Sequence, residues 1–227
     1  MAHCSGALWL PETRVAIVAD VHLGYGWAQR RRGQLGPVED GGVRGKIQAL
    51  VQELGPAKIV FLGDVVHAPK PAAQERALVE ETLRGIAGTT QLIMVRGNHD
   101  RAFAHDYAGL GMEVVDCWTA PGLMAIHGDR PPRERSPRSR LILGHLHPAV
   151  GVRDDAGASQ RIPVFLIGPQ ACVLPAFSPF AAGYDVRSAG IPAGLRNLMG
   201  GGSVDCIAAT GRRVVKLGPL SILRQRE

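Results

Sequence analysis

No apolar run among the 227 residues approaches the roughly 20 that a membrane-spanning helix needs. The first residues combine no basic patch, long apolar stretch and small-residue cleavage site, so a cytoplasmic chain away from membranes is expected. Cysteine is scarce: Cys4, Cys117, Cys172 and Cys206 stand singly with no CxxC pair, which argues against a zinc knuckle or a disulfide framework and for reduced, mostly packed thiols. Acidic residues are outnumbered by basic ones, 20 to 26, and the pI near 9.5 favours anionic partners without identifying one. No internal repeat is present. A hydrophobic content of 45 % supports one sizeable core, and a single domain over residues 1–227 is expected.

Three early segments share a design, an apolar and largely β-branched run that stops at a polar cluster. Val15-Ala16-Ile17-Val18-Ala19 precedes Asp20, Ile59-Val60-Phe61-Leu62 precedes Gly63-Asp64, and Leu92-Ile93-Met94-Val95 leads to Gly97-Asn98-His99-Asp100. These read as strands buried on both faces. Between them Ile47, Leu50, Val51 and Leu54, then Val79, Leu83 and Ile86, recur at helical spacing, with Gly88 placed to end the second helix. Alternating strands and helices build parallel sheets, whose carboxyl ends share one edge where ligands usually bind. The second half repeats the pattern with fewer helices: strands over residues 123–126, 141–143 and 162–167, then near 204–208 and 213–217 around a Thr210-Gly211 turn. Residues 24–42, 128–140 and 188–203 read as loops. The expectation is two sheets packed face to face and flanked by helices.

The polar residues at the strand ends form an ordered set: Asp20-x-His22, Gly63-Asp64, Gly97-Asn98-His99-Asp100, His127-Gly128 and Gly144-His145-x-His147, which holds five of the eight histidines. Each piece alone has a plain structural explanation, since Asp-x-His arises by chance and Gly-Asp after a strand is often a simple turn. The order decides. Five strands would each have to end by accident in metal-competent residues. Carboxylate, amide oxygen and imidazole together suit manganese, iron or zinc, and there are enough donors for two ions.

These blocks, in this order, resemble the calcineurin-like metallophosphoesterase superfamily over about residues 15–148. The fuller phrases Ala19-Asp20-Val21-His22-Leu23-Gly24, Gly63-Asp64-Val65-Val66-His67, and Pro175-Ala176-Phe177 through Tyr184-Asp185-Val186 resemble a narrower branch, the bacterial ligase-associated DNA damage response endonucleases (PdeM) with their archaeal relatives. The resemblance implies an α/β fold, a two-sheet β-sandwich in four αββα layers, and two divalent ions, manganese first with iron or zinc as alternatives. It implies that Asp20, His22, Asp64 and His147 hold one ion and that Asp64, Asn98, His127 and His145 hold the other, with Asp64 bridging. His99 would face substrate and Asp100 would orient its ring. A metal-bridging hydroxide would then attack a phosphodiester in line, because two cations neutralise the anionic substrate and acidify a water, while His99 protonates the departing alkoxide or stabilises the transition state.

Two positions depart from the commonest pattern: Asp129 stands where many relatives carry a second histidine, and His67 where Asn or Asp is frequent, although the narrower branch carries a residue like it. His3 and His105 receive no role, and Asp185 reads as structural. Five arginines against two acids crowd residues 129–140, and Arg30-Arg31-Arg32 follow the first motif. Arg30, Arg133, Arg135 and Arg138 are therefore candidate contacts to a nucleic-acid backbone, a solvated loop being the plain alternative. The expected function is a nuclease acting on DNA in repair. A small-molecule or cyclic-dinucleotide phosphoesterase and a silent scaffold are the competing readings, the scaffold disfavoured because every ligand is intact. The narrower resemblance implies a functional association with an ATP-dependent DNA ligase, a helicase and an exonuclease-like protein. Direct binding to them does not follow.

Overall fold

The computed structural model describes residues 1–36, 41–100, 104–134, 136, 138–153 and 156–225. Its first sheet contains β1 (Leu8–Leu10), β2 (Val15–Ala19), β3 (Lys58–Leu62), β4 (Gln91–Val95) and β5 (Glu113–Val115) in sequence order, with β2 to β5 parallel and β1 antiparallel. Helices α2 (Gly41–Leu54), α3 (Ala73–Ala87) and α4 (Ala104–Gly109) make the crossovers, and α1 (Tyr25–Arg31) follows β2. Alternation along each strand sets the layering. Val15, Ile17, Val60, Leu62, Ile93 and Val95 face the second sheet, whereas Ala16, Val18, Ile59, Phe61, Leu92 and Met94 pack under Ile47, Leu50, Val79 and Leu83 of the helices.

The second sheet comprises β6 (Trp118–Ala120), β7 (Leu123–Ile126), β8 (Arg140–Leu143), β9 (Pro148–Arg153), β10 (Ser159–Ile167), β11 (Ala171–Val173), β12 (Tyr184–Asp185), β13 (Asp205–Ala209) and β14 (Val214–Pro219). It is mixed: β7–β8, β8–β11 and β9–β12 are parallel and the remaining pairs antiparallel. Ala125, Ile142, Phe165 and Cys172 face the first sheet. Leu141, Leu143, Val164 and Leu166 face outward, under α5 (Val186–Ala189), α6 (Ala193–Leu198) and α7 (Leu220–Arg224). The result is the expected αββα sandwich. Among the described residues no helix is long and apolar enough to cross a membrane.

Two stretches expected as loops contain helices. Helix α1 starts at Gly24, whose φ of 83° is left-handed and which offers no side-chain cap, and it buries only Gly26 and Ala28. Helix α6 buries none of its residues fully. Helices this short carry no readable apolar period and form through their packing. Strand β10 begins at Ser159 rather than Ile162 and runs through Pro163. There the strand changes partner, from β9 over residues 159–163 to β13 from Val164 onward, so a missing amide proton falls at the break in the ladder.

Candidate metal centre

The register of the parallel strands determines where the polar residues emerge. Ala19 pairs with Leu62 and Leu62 with Val95, so β2, β3 and β4 end level; Ile126 pairs with Leu143, so β7 and β8 do too. Just past those ends the chain turns sharply. Among the described residues six non-glycine positions have positive φ, and five of them are Asp20 (55°), His22 (51°), Asp64 (50°), His145 (65°) and His147 (53°). An L-residue in this conformation costs roughly 1–2 kcal/mol, so the surroundings must impose it. They do so through the backbone: His22 N donates to Asp64 O (2.9 Å), Gly144 N to His127 O (2.9 Å), and His145 N to the Asp20 carboxylate (2.8 Å). Gly97 is required by close approach, since a Cβ there would collide with the Asp64 amide and carboxylate.

The side chains converge as two groups. Ligand atoms of Asp20, His22 and His147 lie within 4.8 Å of one another, as do those of Asp64, His127 and His145; a third group, His22, Asp64 and His99, joins them. Asn98 Oδ1 lies 3.0 Å from His127 Nε2. His127 Nδ1 faces the Leu62 carbonyl at 2.8 Å and must carry the proton to bond it, which leaves the Nε2 lone pair pointing into the group. There it meets other electron-rich atoms, Asn98 Oδ1, Asp64 Oδ2 (3.5 Å) and His145 Nδ1 (3.1 Å). In the first group His22 Nε2 and His147 Nε2 stand 3.3 Å apart, and the buried Asp20 Oδ1 has no acceptable hydrogen bond although His147 Nε2 is 3.3 Å away. Such convergence of acceptors is what a divalent cation satisfies, and the N/O donor set fits the transition metals or zinc.

The electrostatics run the same way. Burial, reinforced by His147, His67 and His99, pulls His22 down to about 3 against the attraction of Asp20, so its ring is neutral and available as a ligand. Burial and His127 lower His145 too. For His147 burial acts downward, but the Asp20 carboxylate outweighs it and raises the ring above its ordinary value. Asp20 stays below the usual carboxylate range: burial acts upward and is overcome by His147, with help from His127 and His22.

His99 and Asp100 divide differently from the expectation. The His99 ring is held through Nδ1 by the His67 carbonyl (2.5 Å), with Nε2 on the side of Asp64 (3.9 Å). Asp100, expected to orient that ring, instead accepts from the amides of Asp64 (2.6 Å), Val65 (3.0 Å), Val66 (3.3 Å) and Gly97 (3.1 Å) and from the Tyr107 hydroxyl (2.9 Å). It is fully buried, and burial followed by the Asp64 carboxylate pushes it up to about 6, leaving it ionised at neutral pH. A carboxylate facing a strained turn bonds the nearest unpaired amides, which belong to that turn. Tyr107 carries no motif that would have flagged it. His67 lies beside the site, its ring 5.3 Å from that of His22.

The candidate arginines are scattered. Arg133 lines a groove of about 590 Å³ next to His127 and Gly128. Arg30 lies over the Trp27 ring at 4.8 Å, and Arg138 donates its amide to Ser136 Oγ at 3.4 Å. Arg135 lies outside the described residues. Asp129 borders the groove, while Asp185 caps α5 through the Arg187 amide (3.0 Å) and accepts from Gly151 N (3.1 Å), a structural role as expected.

Strand-end carboxylates and imidazoles on this sandwich define a metal-dependent hydrolase. Residues 13–153 match the model of the calcineurin-like phosphoesterases, and the chain belongs to that family. Among solved structures it is similar to a nuclease, MPE, of Pseudomonas putida, with 26 % identity and a TM-score of 0.71 over 95 % of this chain and 93 % of that one. No curated protein matches it by sequence. The chain is thus a metal-dependent phosphoesterase.

Proposed function

We propose that this phosphoesterase is a dinuclear phosphodiesterase that cleaves DNA, in the cytoplasm and in a repair setting. One observation supports the reading most: a third cluster, His22, Asp64 and His99, shares His22 with one ligand group and Asp64 with the other, which favours Asp64 as the bridging carboxylate. Asp20, His22, Asp64 and His147 would hold one ion and Asp64, Asn98, His127 and His145 the other. Two divalent ions bound there would neutralise the phosphoryl charge and lower the pKa of water. The protein's own part is positioning and proton transfer. Asp64 is fixed by the His99 amide on Oδ1 (2.9 Å), and the His67 carbonyl accepts from His99 Nδ1–H, so a proton given by Nε2 to the departing oxygen would come from the doubly protonated ring. The similar Pseudomonas putida nuclease supports a nucleic-acid substrate. The link to a DNA ligase, a helicase and an exonuclease-like protein rests on sequence resemblance alone.

The test is hydrolysis of bis-p-nitrophenyl phosphate and of labelled single- and double-stranded DNA with added Mn²⁺. Metal-dependent turnover of both substrate types is expected. Turnover of the small diester with no cleavage of any DNA would transfer the assignment to a nucleotide phosphodiesterase, and no turnover of either would refute the enzyme.

A further inference from the structure

The three arginines that follow the first motif have three different surroundings. Arg30 lies over the Trp27 ring. Arg31 is a tie: its guanidinium donates to the Lys70 carbonyl (3.3 Å) and stands 3.8 Å from the fully buried Glu75, whose carboxylate also accepts from the Ala72 amide (3.3 Å). That clamp sets the end of α1 against residues 68–70. Arg32 and Lys70 are exposed, and among the described residues neither has an acidic partner. With Arg31 they rim a cleft of about 550 Å³ whose remaining walls are Ala28, Ala68 and Pro69, and no acid lines it. The cleft adjoins the metal centre. Ala68 follows His67, whose carbonyl holds the His99 ring and whose own ring is 5.3 Å from that of His22. Arg32 is near enough for its charge to act on the His67 ring. The groove beside His127 offers no such excess, since Arg96, Arg130 and Arg133 share it with Asp116, Asp129 and Glu134.

We propose that the cleft between Arg32 and Lys70 is a second-phosphate subsite, which holds the phosphate next to the scissile one along the substrate chain. A guanidinium grips two phosphate oxygens as a fork, and an ammonium adds a compact point charge beside it. Contacts to a phosphate that is not cut carry no sequence information but fix the register of the chain. Arg32 and Lys70 would thus set which ester bond meets the metals, taking no part in the chemistry themselves. The inference rests on the phosphodiesterase reading above and narrows it: the preferred substrate carries at least two phosphates, and a diester with only one is poorer.

Thymidine 5′-p-nitrophenyl phosphate and its 3′-phosphorylated form differ only in a second phosphate. Thymidine 3′-p-nitrophenyl phosphate and its 5′-phosphorylated form make the matching pair for the other direction along a strand. In at least one pair the second phosphate should raise kcat/KM by about tenfold, the scale of one charge-assisted contact. That ratio should fall towards one when Arg32→Gln and Lys70→Gln are combined. It should persist in Arg30→Gln, which removes the same charge two residues away. A methyl ester on the second phosphate separates the sources: a retained ratio assigns the cleft to an internal backbone phosphate, a lost ratio to a terminal phosphomonoester. Acetylation by acetic anhydride, mapped by peptide mass spectrometry on the metal-loaded protein, gives a readout without turnover. Thymidine 3′,5′-bisphosphate should slow it several-fold at Lys70 and thymidine 5′-monophosphate should not, with Lys216, 3.5 Å from Asp205, as the internal reference.

No gain in either pair, a gain that survives the double substitution, an equal fall in Arg30→Gln, or equal protection of Lys70 by the two nucleotides would each overturn the second-phosphate subsite. Those outcomes leave the phosphodiesterase reading intact so long as the unsubstituted protein turns over bis-p-nitrophenyl phosphate with Mn²⁺. Failure of that control would remove both together.

Discussion

In the first sheet three parallel strands end level; Asp100, just past β4, ties the turns after β3 and β4 by accepting from four amides around Asp64 and Gly97, and His22 N ties the turn after β2 to the Asp64 carbonyl. In the second sheet only β7 and β8 end level at the site, and the turn carrying His145 is tied across the sandwich, by the Asp20 carboxylate. The first sheet braces its own donors. The second adds to its own tie, Gly144 N to His127 O, a brace borrowed from the first, so damage at Asp20 reaches both halves of the centre while damage at Asp100 begins in one.

The largest effect expected is from Asp64→Ala. Losing the carboxylate shared between the groups should lower metal content and reduce turnover by several orders of magnitude, measured by elemental analysis and diester hydrolysis; a variant with two metals and native turnover would show that the halves are not joined there. His99→Ala should keep both metals and lose ~10²–10⁴-fold in rate. Much of that loss should vanish with a p-nitrophenolate leaving group if proton donation is its task, and equal loss for good and poor leaving groups would point to charge stabilisation.

Asp100→Ala tests the brace itself. Four amides and a phenol would be stranded in the interior, and urea unfolding should show a loss of roughly 3 kcal/mol or more. His145→Ala, on the borrowed side, should cost far less, and equal losses would erase the contrast between the sheets.

Acid should weaken the metal-free protein at the same place. His22, at about 3, and His67, at about 4, are held below the ordinary 6.5, and His145 is lowered as well. Between pH 6.5 and about 4 the unfolded chain thus binds more protons at these rings, and stability falls as pH falls. Asp100, raised to about 6 from 3.8, and His147, raised by the Asp20 carboxylate, act the other way, two groups against three. The urea midpoint should drop from pH 6.5 to 4, and a flat profile would contradict the neutral-ring picture. The smallest effect expected is from Asp185→Ala, which removes the α5 cap and should cost about 1 kcal/mol without changing metal content.

The buried strands are legible because each carries an uninterrupted apolar run closed by a polar cluster, and the ordered His/Asp set marks the candidate donors in the sequence itself. What the sequence hid has local causes. Strand β9 opens with Pro148 and contains Gly151, and β10 is crossed by Pro163, residues that weaken a strand signal although their tertiary setting tolerates them. The resemblance implies that Asp100 orients the His99 ring, whereas its carboxylate turns to the amides of Asp64, Val65, Val66 and Gly97, because a sharp turn sends neighbouring side chains in different directions. The groove was invisible because its walls come from β4, the β5–β6 junction and the 128–134 stretch, which only the fold brings together.

The left-handed backbone at Asp20, His22, Asp64, His145 and His147 bears on the choice of an inactive stand-in for trapping substrate. Alanine at such a position deletes the donor and keeps the steric conflict between Cβ and carbonyl. Glycine deletes the donor and removes that conflict, worth roughly 1–2 kcal/mol, at the cost of a looser unfolded chain, about 0.4–1 kcal/mol. His145→Gly or His147→Gly is then the silent version of this protein that should stay at least as well folded as its alanine counterpart. Its strand-end turns are already shaped for a residue with no side chain.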